Sequence, residues 1–216
     1  TCTDGAGATA SDSYVLTVTN TNDAPTISST AVTAATEDSA YTYTVVAADV
    51  DSGDTVTLTG TTVPSWLTFT ASTGVLSGTP TNSEVGNHAV VITATDAAGA
   101  TVTDSYIIAV ANTNDAPTVA SAIADVTNAE DAAYSLSVSG MCADVDAGDS
   151  LAYTIAGAPS TITISGTTIS GTPVNADVGT HTITVTCTDD AGATASDSYV
   201  LTVTNTNDAP TISSTA

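Results

Sequence analysis

The sequence predicts an all-β protein built as tandem seven-stranded β-sandwiches in an extended array. Three observations predict it. The heptapeptide Asn-Thr-Asn-Asp-Ala-Pro-Thr starts at positions 20, 112 and 205, which sets spacings of 92 and 93 residues. A fixed period of this size marks an array of domains. Between the copies run short stretches rich in Thr, Val, Ser and Ala with period-two alternation, punctuated by Gly, Asp and Pro turn signals. Such runs suit strands, and no stretch sustains helical periodicity.

The heptapeptide itself reads as a joint. Proline fixes its own φ, lacks an N–H and pushes the preceding residue toward extended backbone. Residues 1–31 repeat at 186–216 with a single difference, Gly5 against Asp190. The chain thus repeats at 185 residues, as a pair of domains. The expected organisation is a C-terminal fragment of a preceding repeat at 1–22, a complete domain at 23–114, a second at 115–207 and the start of another at 208–216. This is expected of a window cut from a longer tandem protein, which would carry neither an initiating Met nor a signal peptide.

Composition excludes several functions. Lys and Arg are absent against 23 acids, giving a net charge of −23, although only 11% of residues are charged. Nucleic-acid binding needs cationic side chains and is excluded. An anionic membrane surface is disfavoured, and no apolar run reaches the roughly 18 residues of a spanning helix. Lys–Asn isopeptide cross-links are impossible. The uncompensated charge points instead to divalent cations.

Taken in order, Tyr14, Leu16 and Val18 alternate as the last strand of a domain with one buried face. In the first complete domain, a first strand lies within 26–35. The second spans 41–48, with Tyr41, Tyr43, Val45 and Ala47 on one face. Asp51-Ser52-Gly53-Asp54 turns the chain, and Val56 and Leu58 begin the next strand. Pro64-Ser65-Trp66-Leu67 brings the only Trp, read as a core anchor. Turns at Ser72-Thr73-Gly74 and Ser77-Gly78-Thr79-Pro80 follow. His88, Val90, Ile92 and Ala94 share one face of the sixth strand, and Tyr106, Ile108 and Val110 the inner face of the seventh. The second domain repeats the plan. Tyr134, Leu136 and Val138 stand for Tyr41, Tyr43 and Val45, and His181, Ile183, Val185 and Cys187 stand for His88, Val90, Ile92 and Ala94. It lacks the Trp and gains two residues around Gly140-Met141. An insertion of two preserves strand parity, so Cys142 still faces inward.

Cys142 and Cys187 replace Ala47 and Ala94. Both are present in one domain and both absent from the other, as expected of a bonded pair. The position is that of the bridge in immunoglobulin-like sandwiches, and it implies an oxidising, extracytoplasmic compartment. Cys2 is the counterpart of Cys187. The competing reading is three free buried thiols in a reducing compartment.

The acids cluster at strand ends. Each domain carries Glu-Asp before its second strand, Asp-x-Asp after it, an Asp after the sixth strand, and the Asn-x-Asn-Asp joint. Calcium takes 6–8 oxygens, chiefly carboxylate, amide and carbonyl. At this point the chain resembles the cadherin superfamily, most closely the dystroglycan-type cadherin-like repeats of large prokaryotic surface proteins. The resemblance rests on Pro64-Ser65-Trp66-Leu67-Thr68-Phe69, on residues 73–82, on Val91-Ile92-Thr93-Ala94-Thr95-Asp96 and on Asn112-Thr113-Asn114-Asp115-Ala116-Pro117. It implies Ig/cadherin-like sandwiches with Ca2+ between successive domains. Carried over, one joint uses Asn22, Asp23, Asp49, Asp51 and Asp96. The next uses Glu37, with Glu84 a further candidate, together with Asn114, Asp115, Asp144, Asp146 and Asp189. The last uses Glu130, Asn207 and Asp208. The sequence departs from the classical pattern in two places. The Leu-Asp-Arg-Glu motif is absent, and Ala116 stands where classical cadherins have a second Asn. The competing reading is that these acids are ordinary polar turn and linker residues.

No catalytic constellation appears. There is no Gly-x-Ser-x-Gly elbow, no His placed to activate a hydroxyl and no Cys/His zinc spacing. His88 and His181 are read as structural, and Trp66 as a packing residue rather than a sugar platform. The expected function is a structural repeat segment of an extracellular filament or giant cell-surface adhesin, stiffened by interdomain calcium and an intradomain disulfide. Its expected partner is itself, in a tandem array or homopolymeric filament. The alternative is a module that binds surface polysaccharide or another cell's surface.

Overall fold

The computed structural model describes residues 1–212, and the part of the predicted next repeat at 213–216 lies outside the described residues. The chain divides into two compact units, Thr1–Ala111 and one starting at Asn112. Each holds one β-sandwich.

The first unit opens with a hairpin of β1 (Cys2–Thr3) and β2 (Thr9–Ala10). The sandwich follows with β3 (Thr26–Ile27), β4 (Ala34–Thr36), β5 (Tyr41–Thr44), β6 (Ala47–Ala48), β7 (Thr57–Thr62), β8 (Leu67–Thr70), β9 (Val75–Gly78), β10 (Gly86–Thr95) and β11 (Thr101–Ala111). One sheet runs in the order β4-β11-β10-β7, the other β5-β9-β8, and β3 pairs with β6. The predicted first and second strands are therefore each split. β3 and β6 pair antiparallel, whereas β4 crosses to pair parallel with β11. Splitting lets one strand serve both sheets, so the sandwich closes at that edge.

The second unit repeats this with β12 (Thr118–Val119), β13 (Val126–Ala129), β14 (Tyr134–Ser137), β15 (Cys142–Ala143), β16 (Ala152–Ala156), β17 (Ile162–Ser165), β18 (Thr168–Gly171), β19 (Gly179–Thr188) and β20 (Thr194–Thr204). Its sheets run β13-β20-β19-β16 and β14-β18-β17.

The alternating residues fill the cores. Tyr41, Tyr43, Val45, Val90, Ile92, Ile108 and Val110 bury together in the first unit, and Tyr134, Val138, Ile183, Val185, Tyr199 and Leu201 in the second. Trp66 is half-buried and packs edge-on against Tyr41 at 5.7 Å and His88 at 5.9 Å, which is a packing role at the core margin. Two glycines mark close approach. A Cβ on Gly78 would collide with the Trp66 carbonyl oxygen, and one on Gly171 with the Thr161 carbonyl oxygen.

One expectation fails. Residues 13–19 form no strand, and Tyr14, Leu16 and Val18 are 87%, 76% and 85% exposed. The same residues recur as Tyr199, Leu201 and Val203, buried within β20. Alternation gives a sequence the ability to be a half-buried strand. Neighbours such as β19 and β13, and a core beneath, make it one.

Candidate metal-binding loops and the disulfide

Cys142 and Cys187 are bonded, across a sequence separation of 45. Cys142 pairs with Val119 across β12–β15 as Ala47 pairs with Ile27 across β3–β6, so the two-residue insertion did preserve parity. Met141 fills the added space and is buried. Cys2 is an exposed free thiol.

In the first unit the Asp-x-Asp loop and the acid after β10 meet the joint. The Asn22 side-chain amide donates to Asp96 Oδ2 at 2.9 Å, and the Asp23 backbone N–H to Asp51 Oδ2 at 2.8 Å. The Asn20 amide donates to Asp51 Oδ1 at 2.8 Å, and the Asp51 N–H to Asp49 Oδ1 at 2.8 Å. The Ala100 N–H closes the turn on Asp96 Oδ1 at 2.7 Å. Carboxylate oxygens of Asp49, Asp54 and Asp96 lie within 4.8 Å of one another. Asp49 Oδ2 is buried and accepts no hydrogen bond. The second unit matches it. Asn114 donates to Asp189 Oδ2 at 2.9 Å, and the Asp115 N–H to Asp146 Oδ2 at 2.8 Å. Asp144, Asp146 and Asp149 cluster within 4.8 Å, and Asp144 Oδ2 and Asp149 Oδ2 are buried without a hydrogen bond.

The electrostatics follow from that packing. Desolvation first, then the charges of Asp49, Asp96 and Asp51, raises the Asp54 carboxyl above its ordinary range. Asp149 is raised likewise, by desolvation and then by Asp144, Asp190, Asp146 and Asp189. The Asn22 amide above all holds Asp96 below its ordinary range, and the Asn114 amide does the same for Asp189. Each loop therefore combines fixed carboxylates with acids crowded against them, in a chain with no Lys or Arg to neutralise either. That oxygen-only donor set fits a hard divalent cation.

Asp54 and Asp149 are not among the ligands that the sequence suggests, because in sequence each reads only as the end of an Asp-Gly turn. The signal was there in the recurrence of Asp-x-Asp-x-Gly-Asp at 49–54 and 144–149.

Glu37 is buried, and its N–H donates to the Ala111 carbonyl. Glu130 is 1% exposed; Oε1 accepts from the Thr206 N–H at 2.8 Å, while Oε2 has no hydrogen-bond partner. Asp208 accepts from the Asn175 amide at 3.3 Å, and Asn207 donates to the Asp208 carbonyl. Glu84 is committed elsewhere. Its carboxylate accepts from the Thr81 N–H and hydroxyl and from Ser83, capping a short 3-10 turn and lowering its pKa. His88 and His181 each place Nε2 against a backbone carbonyl, of Glu84 at 2.6 Å and Asp177 at 2.7 Å. A carbonyl only accepts, so that nitrogen carries the proton.

A family profile described as "Putative Ig domain" matches residues 24–111 and 116–204. The chain is 36% identical over 152 residues to the "Serine-rich adhesin for platelets" of Staphylococcus aureus strain MSSA476, covering 68% of this chain but only 6% of the adhesin. Among solved structures, a human mucin-like protocadherin fragment of two domains superposes with a TM-score of 0.60 at 16% identity, over 84% of this chain and 98% of that one. Mouse cadherin-23 domains 22–24 superpose at 0.56 with 15% identity, over 80% of this chain and 62% of that one. At these identities the likeness is one of fold.

Proposed function

Because the chain belongs to the "Putative Ig domain" family, with two cadherin-like sandwiches in tandem, we infer that it is a repeat segment of an extracellular surface adhesin whose domains are stiffened by calcium at their joints. The adhesin relative supports the surface location and the adhesive role, and the buried disulfide supports an oxidising, extracytoplasmic compartment. We assign the repeats to the dystroglycan-type cadherin-like branch on the motifs at 64–69, 73–82 and 112–117.

One observation carries the calcium reading. In both units the joint's Asn-Asp is tied to an acid cluster that holds buried carboxylate oxygens with no hydrogen bond and no countercharge. Asp49, Asp51, Asp54 and Asp96, with Asn22 and Asp23, would hold the ion in the first unit. Asp144, Asp146, Asp149 and Asp189, with Asn114 and Asp115, would hold it in the second. Glu37 is proposed as a further ligand of the second joint, and Glu130 with the linker residues Asn207 and Asp208 as ligands of the third. Calcium would supply the missing positive charge. The chain's own part is to hold the linker against the loop, so that ion binding restricts the linker.

Isothermal titration of the chelated protein with calcium tests this. Saturable binding that vanishes in Asp49→Asn with Asp144→Asn supports the reading. Absence of heat and of any melting shift overturns it.

A further inference from the structure

The two units differ at the end of the sandwich that carries the acid loops, and two of the differences tie the same pair of loops together. In the second unit Cys142 stands two residues before Asp144, and Cys187 two residues before Asp189. Residues two apart on a strand share a face. The disulfide is therefore the last inward-facing layer beneath the loops, and it joins the strands from which both loops leave. The second unit's core includes both cysteines, whereas the first unit's includes neither Ala47 nor Ala94. The other tie is polar. Ser150 follows the Asp-x-Asp loop, and its hydroxyl donates to Asp190 Oδ1 at 2.7 Å while its N–H donates to Oδ2 at 3.3 Å. The first unit has Ala97 in place of Asp190, so this tie cannot form there.

These ties matter because strand pairing holds one of the loops weakly. β15 is two residues long and pairs only with the equally short β12, whereas β19 is ten residues long and lies inside the four-stranded sheet. Asp144, Asp146 and Asp149 follow the short strand, and Asp189 follows the long one. We propose that the Cys142–Cys187 bridge and the Ser150–Asp190 pair are positioning groups that make the second unit's loops a tighter calcium site than the first unit's. This rests on the calcium reading above and adds an order of affinities to it. Ligand charge and site rigidity together set calcium affinity. The four carboxylates of the first loop pair, Asp49, Asp51, Asp54 and Asp96, match the four of the second, so rigidity is the larger difference. Loops already held at their bound separation lose less freedom when an ion arrives. Asp190 also adds one charge, which the variants below separate from its tie. As calcium falls, the linker residues Asn22 and Asp23 are released before Asn114 and Asp115.

The test is calcium titration of the 216-residue chain, by calorimetry and by competition with a chromophoric chelator, in a Cys2→Ser background that prevents intermolecular disulfides. Two classes of site are expected, about tenfold or more apart in affinity. Asp144→Asn removes the tighter and Asp49→Asn the weaker. Cys142→Ala with Cys187→Ala is titrated at a temperature where circular dichroism shows the second domain folded. It lowers the tighter affinity by about tenfold and leaves the weaker unchanged. A bridge acting only on the unfolded chain would shift the melt and leave that affinity where it was. Ser150→Ala keeps the Asp190 charge and every proposed ligand, and it lowers the tighter affinity severalfold. This variant carries the test if the alanine pair does not fold. Equal affinities at the two loops overturn the proposal and leave the calcium reading standing, as does a tighter affinity that neither variant moves in a folded domain. Absence of calcium binding at both loops overturns the calcium reading, and the proposal with it.

Discussion

Replacing Cys142 and Cys187 with alanine recreates, in the second domain, the pair that the first domain carries as Ala47 and Ala94. The bond closes a loop across 45 residues. On the chain-entropy relation such a loop confers about 4 kcal/mol at 25 °C by restricting the unfolded chain. The family match gives the second domain residues 116–204. For a domain of this size the unfolding entropy is about 0.2 kcal/mol/K, so the loss lowers its melting temperature by roughly 20 °C. Cys187 is fully buried and Cys142 is 6% exposed, so the substitution also leaves a small cavity and the estimate errs low. The assay has a built-in control. Trp66 is the only Trp and sits in the first domain, so its fluorescence follows that domain while circular dichroism follows both. The double alanine variant is expected to split the melt, with the Trp66 transition unmoved. A shift below about 5 °C, or an equal shift in the Trp66 signal, refutes the assignment of this stability to the second domain's bridge.

Gly171→Ala forces a Cβ onto the Thr161 carbonyl and is expected to destabilise the second domain by about 1–3 kcal/mol in urea unfolding, with Gly78→Ala doing the same to the first. Asp149→Asn removes a crowded charge. The melting temperature in chelator should rise, while calcium affinity, read by titration, falls by about tenfold or more. Asn114→Ala removes the amide that most lowers the Asp189 carboxyl. A depressed carboxylate contributes stability above its unfolded pKa and loses it as pH falls through the folded one. Acid unfolding of the second domain, followed by circular dichroism, should therefore begin at a higher pH in this variant.

The fold was largely legible because period-two alternation and turn residues recur at a fixed spacing. The cysteine pair was legible because it appears and disappears as a unit between two otherwise matching domains. The limits are instructive. Residues 13–19 and 198–204 are identical, yet only the second set is a strand. Pairing and core contact decide that, and neither is a local property. Asp54 and Asp149 were read as turn residues because a turn and a ligand loop use the same Asp-Gly chemistry; their burial against other acids shows only in three dimensions. Glu84 went the other way. An acid near a joint suggested a ligand, and the structure spends its oxygens capping a helical turn.

The most direct test of the account is calcium titration of the two-domain chain with small-angle scattering and thermal melting, each with and without chelator. Calcium is expected to raise the melting temperature and to lengthen and narrow the distribution of particle dimensions as the joints stiffen. Identical melting and identical scattering in both conditions would contradict it, and would leave the acid clusters as solvated loops.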